Sequence, residues 1–382
     1  MPLSLSPHPN KTYTLAYITA LPLELTTALT LLDDIHGIPQ SQPPGDNNAY
    51  ILGRIGNHNV VMTCLPAGRM GTGAAAAVGE GVRRSFVGVR VAVLVGIGGG
   101  VSCFHRGGED VRLGDVVVGV PGGGGYGGVI QYDLGDGEGQ LNAPPEKLLG
   151  YVTMVNCLLE RNNCLGEVLG ELGEKYAYPV HVEDRLFCSG YYHRGGGCLA
   201  CGDGDRDGEI YREKRESTLP VVHVGTIASG NTVIGDGVTR DRICSRYKGS
   251  VLCFEMEAAG LVNSLPCLVV RGISDYADVH KNDEWRLRAI AAAASYAKAL
   301  ILHIPPEEAP QEVVQVTELV EEIKEIRGEL AQVKAMLETG LSRINYSLWD
   351  LQGTKYKVWK EFFQWLLPFG FGRQQQECLK ED

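Results

Sequence analysis

Apolar and polar positions along this chain follow two periods, and each change of period marks an element. Tyr13 to Ala20 is a continuous apolar, β-branched and aromatic run of the kind a fully buried strand requires. Pro22 then stands in the first turn of a helix, with Leu23, Glu24, Ala28, Leu29 and Leu32 at helical spacing. Asn47 to Gly56 and Asn59 to Leu65 read as a hairpin that turns at Gly56-Asn57-His58-Asn59. A glycine-punctuated turn, Gly68-Arg69-Met70-Gly71-Thr72-Gly73, leads into an alanine-rich helix from Ala74 to Ala77. Val89 to Val95 is another buried strand and ends in Gly96-Ile97-Gly98-Gly99-Gly100. Each Gly in an element costs roughly 0.5–1 kcal/mol relative to Ala, so this run is expected not to pack as one but to let the backbone approach a ligand.

In the second half, Val111 to Val118 is a turn followed by a strand, Pro121 to Gly128 is a glycine-rich loop, and Leu148 to Leu172 reads as helix. Ser189 to Leu219 is polar, charged and rich in glycine, a surface excursion without an evident period. Val221 to Ile227 alternates as a strand and runs into Ala228-Ser229-Gly230-Asn231-Thr232-Val233-Ile234, which the residues alone mark as a turn. An alanine-rich helix spans about Trp285 to Leu302. Pro305-Pro306-Glu307-Glu308-Ala309-Pro310 breaks the pattern like a linker. Beyond it Val316, Leu319, Ile323, Ile326, Leu330, Val333 and Leu337 recur at alternating spacings of three and four, the seam of a coiled coil that self-associates.

Composition narrows the partners. A formal charge of −11, with no Lys/Arg cluster, argues against a nucleic-acid surface. Eleven cysteines, several inside apolar runs (Cys64, Cys253, Cys267), read as small hydrophobes in a reducing, cytoplasmic compartment. Cys198-Leu199-Ala200-Cys201 lacks a second pair at zinc spacing and is read as plain loop, so no metal and no cofactor is expected. The start of the chain has no basic region followed by a long apolar core, and no stretch reaches the roughly 18 apolar residues that cross a bilayer. The tail from Val358 to Phe369 is apolar and aromatic but has too few Lys/Arg for lipid binding to be its first reading.

The candidate chemistry lies in two segments. Cys253-Phe254-Glu255-Met256-Glu257-Ala258-Ala259-Gly260 places two carboxylates at a strand-to-helix turn, and Cys267-Leu268-Val269-Val270-Arg271-Gly272-Ile273-Ser274-Asp275 ends a β-branched run in charged residues. In an open α/β sheet ligands bind at the carboxyl ends of strands, so Glu255, Glu257, Arg271 and Asp275 would face one crevice. An ion-pair network at a strand end would use the same residues. Glu24, in a first helical turn, is also where the macrodipole alone favours an acid.

Phe254-Glu255-Met256-Glu257-Ala258-Ala259 followed by Val269-Val270-Arg271-Gly272-Ile273-Ser274-Asp275 closely resembles the signature of the purine nucleoside phosphorylase and uridine phosphorylase superfamily, above all its methylthioadenosine/S-adenosylhomocysteine nucleosidase branch. The resemblance covers about Tyr13 to Pro305 and looks like the version found in multidomain fungal signalling proteins. It implies a three-layer αβα sandwich around a twisted mixed sheet. Together with the proline break and the heptads, it divides the chain into a tail (1–12), a catalytic domain (13–304), a linker (305–312), a coiled coil (313–346) and an amphipathic tail (347–382).

The resemblance further implies cleavage of a purine N-glycosidic bond. Asp275 would be the general acid at N7, Glu257 would hold the ribose hydroxyls, Met256 would lie on the sugar face, and Glu24 with Arg271 would orient water. Phe254, Glu255, Ser274, Gly98 and Gly99 would line the substrate, with Val233 and Ile234 at the base. Similar phosphorylases grip phosphate with an Arg and a Ser where this chain has Leu94 and Ile97, so water is the favoured nucleophile and a phosphorylase the alternative. Nucleosidases usually carry a Ser at the place of Ile97, so one water contact is absent. A non-catalytic nucleotide sensor that oligomerises is the reading from another class. The partners expected are a purine nucleoside or nucleotide and further copies of the chain, through the catalytic domain and the coil. His280 and Lys281 are open to a 5′ phosphate, although a solvated loop is the plainer reading.

Overall fold

A computed structural model of the 382-residue chain describes residues 3–102, 108–122, 125–134, 141–193, 201, 208–281, 283–306 and 323–338. Residues 1–309 form one compact unit and the rest belong to a second. In the first unit the buried run becomes β1 (Leu15–Thr19), and Pro22 opens α1 (Pro22–Thr30). A short β2 (Asp34–Gly37) precedes the expected hairpin, β3 (Tyr50–Ile55) and β4 (His58–Cys64), which turns on Gly56 at φ +55°. Next come α2 (Thr72–Ser85), β5 (Val91–Gly100), β6 (Val116–Gly119) and β7 (Val129–Gln131). The helix expected over 148–172 is two helices, α3 (Glu146–Arg161) and α4 (Cys164–Glu171), because Asn162 leaves the helix for an extended conformation (φ −132°, ψ 146°). The chain continues through β8 (Val222–Ser229), α5 (Gly237–Arg246), β9 (Val251–Glu255), the short α6 (Ala258–Leu261), β10 (Cys267–Asp275) and α7 (Arg286–His303).

These strands form one mixed sheet with helices on both faces. α2 and α6 pack on one side; α1, α3, α4 and α7 cover the other, with the alanine-rich α7 buried along most of its length. β5 sits at the centre, parallel to β1 and β10 and antiparallel to the end of β9. Because β10, β6, β8 and β9 also pair in succession, this half of the sheet closes back onto β5 instead of staying open. The carboxyl ends of β1, β5, β8 and β10 and the Glu255 end of β9 therefore converge on one rim.

The glycine run after Val95 is strand, contrary to the expectation that it would not pack. Gly96 to Gly98 pair in parallel with Arg271 to Ile273, the register shifts so that Gly99 meets Asp275, and Gly99 and Gly100 pair with Phe254 and Cys253. The missing side chains make room for protein instead: a Cβ at Gly96 would lie 2.4 Å from Arg271 Nη1 and 2.6 Å from Glu24 Oε1.

In the second unit a helix covers 323–338, inside the expected coil, and every residue along it is exposed. The remainder of the coil, the tail from 347 and Cys198 lie outside the described residues. Cys201 is buried. No described helix is long and apolar enough to cross a membrane.

Candidate active site

The rim gathers the predicted charges around a single guanidinium. Arg271, 1% exposed on central β10, directs Nη2 at Glu255 in a very short contact and at Glu257 Oε2 at 3.4 Å. Its Nη1 donates to the Ile97 carbonyl at 3.4 Å, and its Nε has no partner among the described residues. Glu255 ends β9 and accepts the backbone N–H groups of Glu257 (3.0 Å) and Ala258 (3.0 and 3.2 Å), so it caps the turn into α6 as well as pairing with Arg271. The residue is consumed by the scaffold on both oxygens.

Glu24 lies one strand away. Its Oε2 accepts from the N–H groups of Ala20 and Leu21, both at 2.9 Å, and its Oε1 accepts from Ile97 N–H at 2.9 Å. An acid in the first turn of α1 thus bridges the ends of β1 and β5. Burial pushes its carboxyl above the usual range, against the pull of Arg271 and the three backbone donors. Glu257, which receives Gly71 N–H at 3.3 Å, is likewise raised by burial, with Arg271 opposing and Glu255 adding to the shift. Glu24 and Glu257 share a single arginine with a third buried carboxylate, and this low-dielectric setting disfavours their ionised forms.

Asp275 ends β10 at the other side of the rim. Ser274 Oγ donates to its Oδ2 at 2.8 Å, Lys281 Nζ stands 3.1 Å from the same oxygen, and Ala277 N–H reaches Oδ1 at 2.9 Å. Ala277 adopts a left-handed conformation (φ +50°), uncommon for a residue with a Cβ, and this bend turns the following loop back over the carboxylate. Gly99 leaves the space on the opposite side, where a Cβ would lie 2.9 Å from Asp275 Oδ1; at Gly98 it would meet the Phe254 carbonyl at 2.9 Å.

The apolar wall is built by Phe254, buried and edge-on to Tyr132 (ring centroids 5.5 Å apart), with Ile234 in the same cluster. Val233 is separated from that pair, at 56% exposed. Met256 is half-buried at the mouth of the turn. Leu94 is wholly inside the core and Ile97 half-buried, so neither side chain offers a polar group to the rim.

Sequence reasoning missed three supports. Lys281 meets Asp275, whereas it had been placed at a phosphate or in solvent. Ser229 Oγ accepts Ala259 N–H at 3.0 Å and pins α6. Asn231 Oδ1 caps α2 through Thr72 N–H (2.9 Å) and is itself held by Asp133 (2.8 and 3.0 Å), so the start of α2 is occupied by protein groups. Among the described residues no group of His, Cys, Asp and Glu is arranged to hold a metal.

No family model matches the chain. A nucleotide-binding leucine-rich repeat (NLR)-like protein of Hyaloscypha variabilis is 40% identical over 309 residues, 77% of this chain and 30% of that protein. The ATP nucleosidase Cap17 of Escherichia coli is 35% identical over 88 residues, 22% of this chain and 17% of Cap17. The chain thus spans less than a third of either relative. Among solved structures, a methylthioadenosine/S-adenosylhomocysteine nucleosidase of Colwellia psychrerythraea in complex with adenine aligns with TM-score 0.52 at 15% identity, over 81% of this chain and all of that one. The corresponding enzyme of Neisseria meningitidis aligns with TM-score 0.50 at 16% identity, over 76% of this chain and 99% of that one.

Proposed function

We propose that this chain, which has the fold of the methylthioadenosine/S-adenosylhomocysteine nucleosidases, hydrolyses the N-glycosidic bond of a purine nucleoside or nucleotide. The observation that carries the reading is the convergence of Glu24, Glu257, Arg271 and Asp275 on the joined ends of β1, β5, β9 and β10. As the C1′–N9 bond lengthens, the base gains negative charge and the sugar positive charge. Asp275 donates a proton to N7, so the base departs neutral. Glu257 faces the sugar hydroxyls and offsets the oxocarbenium charge, while Glu255, held by Arg271 and backbone N–H groups, fixes the turn that aims Glu257. Glu24 and Arg271 orient the water that attacks C1′, and its proton passes to Glu24.

The nucleophile is assigned to water on the apolar character of Leu94 and Ile97. An adenine base is favoured by the match to an ATP nucleosidase, and a signalling setting by the match to an NLR-like protein. The test is chromatographic detection of free base from adenosine, methylthioadenosine, AMP and ATP, with Asp275→Asn as control. Release that disappears in the variant supports the proposal. Nucleotide binding without release by the native chain refutes it in favour of a sensor.

A further inference from the structure

The helix over 323–338 carries Ile323, Ile326, Leu330, Val333, Met336 and Leu337, which are 46–74% exposed. A helix this short gains most of its stability from an apolar face packed against something else. Five of these residues, Ile323, Ile326, Leu330, Val333 and Leu337, alternate at spacings of three and four, the seam of a left-handed coiled coil. Assigning the heptad from Ile323 as position a puts Ile323, Leu330 and Leu337 at a, and Ile326 and Val333 at d. Within the described helix the charged flanking positions then separate by sign: Glu329 falls at g, where Met336 also lies, and Arg327 and Lys334 fall at e.

That separation selects both the occupant and its direction. In a parallel coil, g of one helix meets e of the next heptad on its neighbour, so Glu329 faces Lys334 of another copy. In an antiparallel coil g meets g and e meets e, placing glutamate against glutamate and arginine or lysine against each other. We infer that the exposed stripe is the contact surface for further copies of this chain, in parallel and in register. The seam also sets the number of strands. β-branched residues at d with leucine at two of three a positions are the reverse of the dimer preference, and they favour three or four helices. The inference does not rest on the catalytic reading.

The test measures the mass of the 382-residue chain in solution by sedimentation or light scattering, with single and paired charge reversals. The inference expects three or four times the 41.3 kDa of one chain, and Leu330→Asp is expected to reduce it. Glu329→Lys and Lys334→Glu should each weaken association about two-fold or more, and the double variant should restore it, since each copy again presents opposite charges across the pair. Residues 1–309 form a separate compact unit, so circular dichroism of the variants should lose no more than the signal of this helix. A dimer would overturn the strand number, a monomer or an unaltered mass in Leu330→Asp the surface itself, and stronger association in Glu329→Lys the parallel direction.

Discussion

Lys281 Nζ stands 3.1 Å from Asp275 Oδ2, the oxygen that also receives the Ser274 hydroxyl. Lys281 is 46% exposed on its side chain whereas Asp275 is buried, so a half-exposed cation covers the acid that the proposed mechanism aims at the base. On the proposed mechanism a purine reaching Asp275 displaces this ammonium. Lys281→Met is therefore expected to lower KM for the nucleoside. Steady-state kinetics check this. A lysine that merely lies on the surface would leave KM unchanged.

Asp275→Asn keeps the hydrogen-bonding shape of the end of β10 and removes the transferable proton. Turnover should fall by about 10²–10⁴ while purine binding persists. Comparing kcat with an equilibrium Kd separates this outcome from collapse of the pocket, which would remove both.

Among the described residues, Arg271 is the cation that acts on the buried carboxylates of Glu24, Glu255 and Glu257, and the one whose nitrogen pairs with Glu255. Arg271→Met leaves uncompensated buried charge and should destabilise the fold by about 3–5 kcal/mol in denaturant unfolding. Arg271→Met combined with Glu255→Gln should recover part of that loss, since one of the stranded charges is gone.

A second charged cluster fastens the 208–219 segment to β6. Asp115 accepts from Arg215 and from Val221 N–H (3.0 Å) and lies 3.0 Å from His223 Nε2, whose Nδ1 faces Glu109 at 3.0 Å. Burial opposes the charge on His223, but Asp115 and Glu109 raise it overall; burial opposes Asp115 too, yet His223 and Arg215 hold it below the usual range. The histidine's contribution to stability is full below the ordinary value near 6.5 and is lost as pH rises through its raised folded value. The aspartate's is full above its ordinary value of 3.8 and is lost as pH falls through its depressed one. Thermal unfolding should show His223→Gln removing part of the alkaline decline in Tm while leaving the acid side governed by Asp115.

Most of the central strands and the charged rim were legible because their residues carry strong local signals: the β-branched run into Arg271, the Glu-Met-Glu turn, and Pro22 ahead of Glu24; the short β2 and β7 carry none. Three features depended on more than local pattern. The break between α3 and α4 lies at Asn162-Asn163, residues that favour caps over helix interiors, inside an apolar period that otherwise continues. α5 had a signal in Asp236, which accepts from Val238 N–H (3.4 Å) and Thr239 N–H (2.8 Å), but its residues are too polar for a clear apolar stripe. The contact of Lys281 with Asp275 required the left-handed bend at Ala277, which no residue type announces. The glycine run misled for a related reason, since glycine clears space equally for a ligand and for Glu24, Arg271 and Asp275.

The central claim is water as the nucleophile at a purine N-glycosidic bond. The most direct measurement follows the sugar product from a purine nucleoside or nucleotide in the presence and absence of inorganic phosphate. The account predicts free base and a sugar with a 1-hydroxyl at a rate unaffected by phosphate. Strict dependence on phosphate, with a sugar 1-phosphate as product, would contradict it.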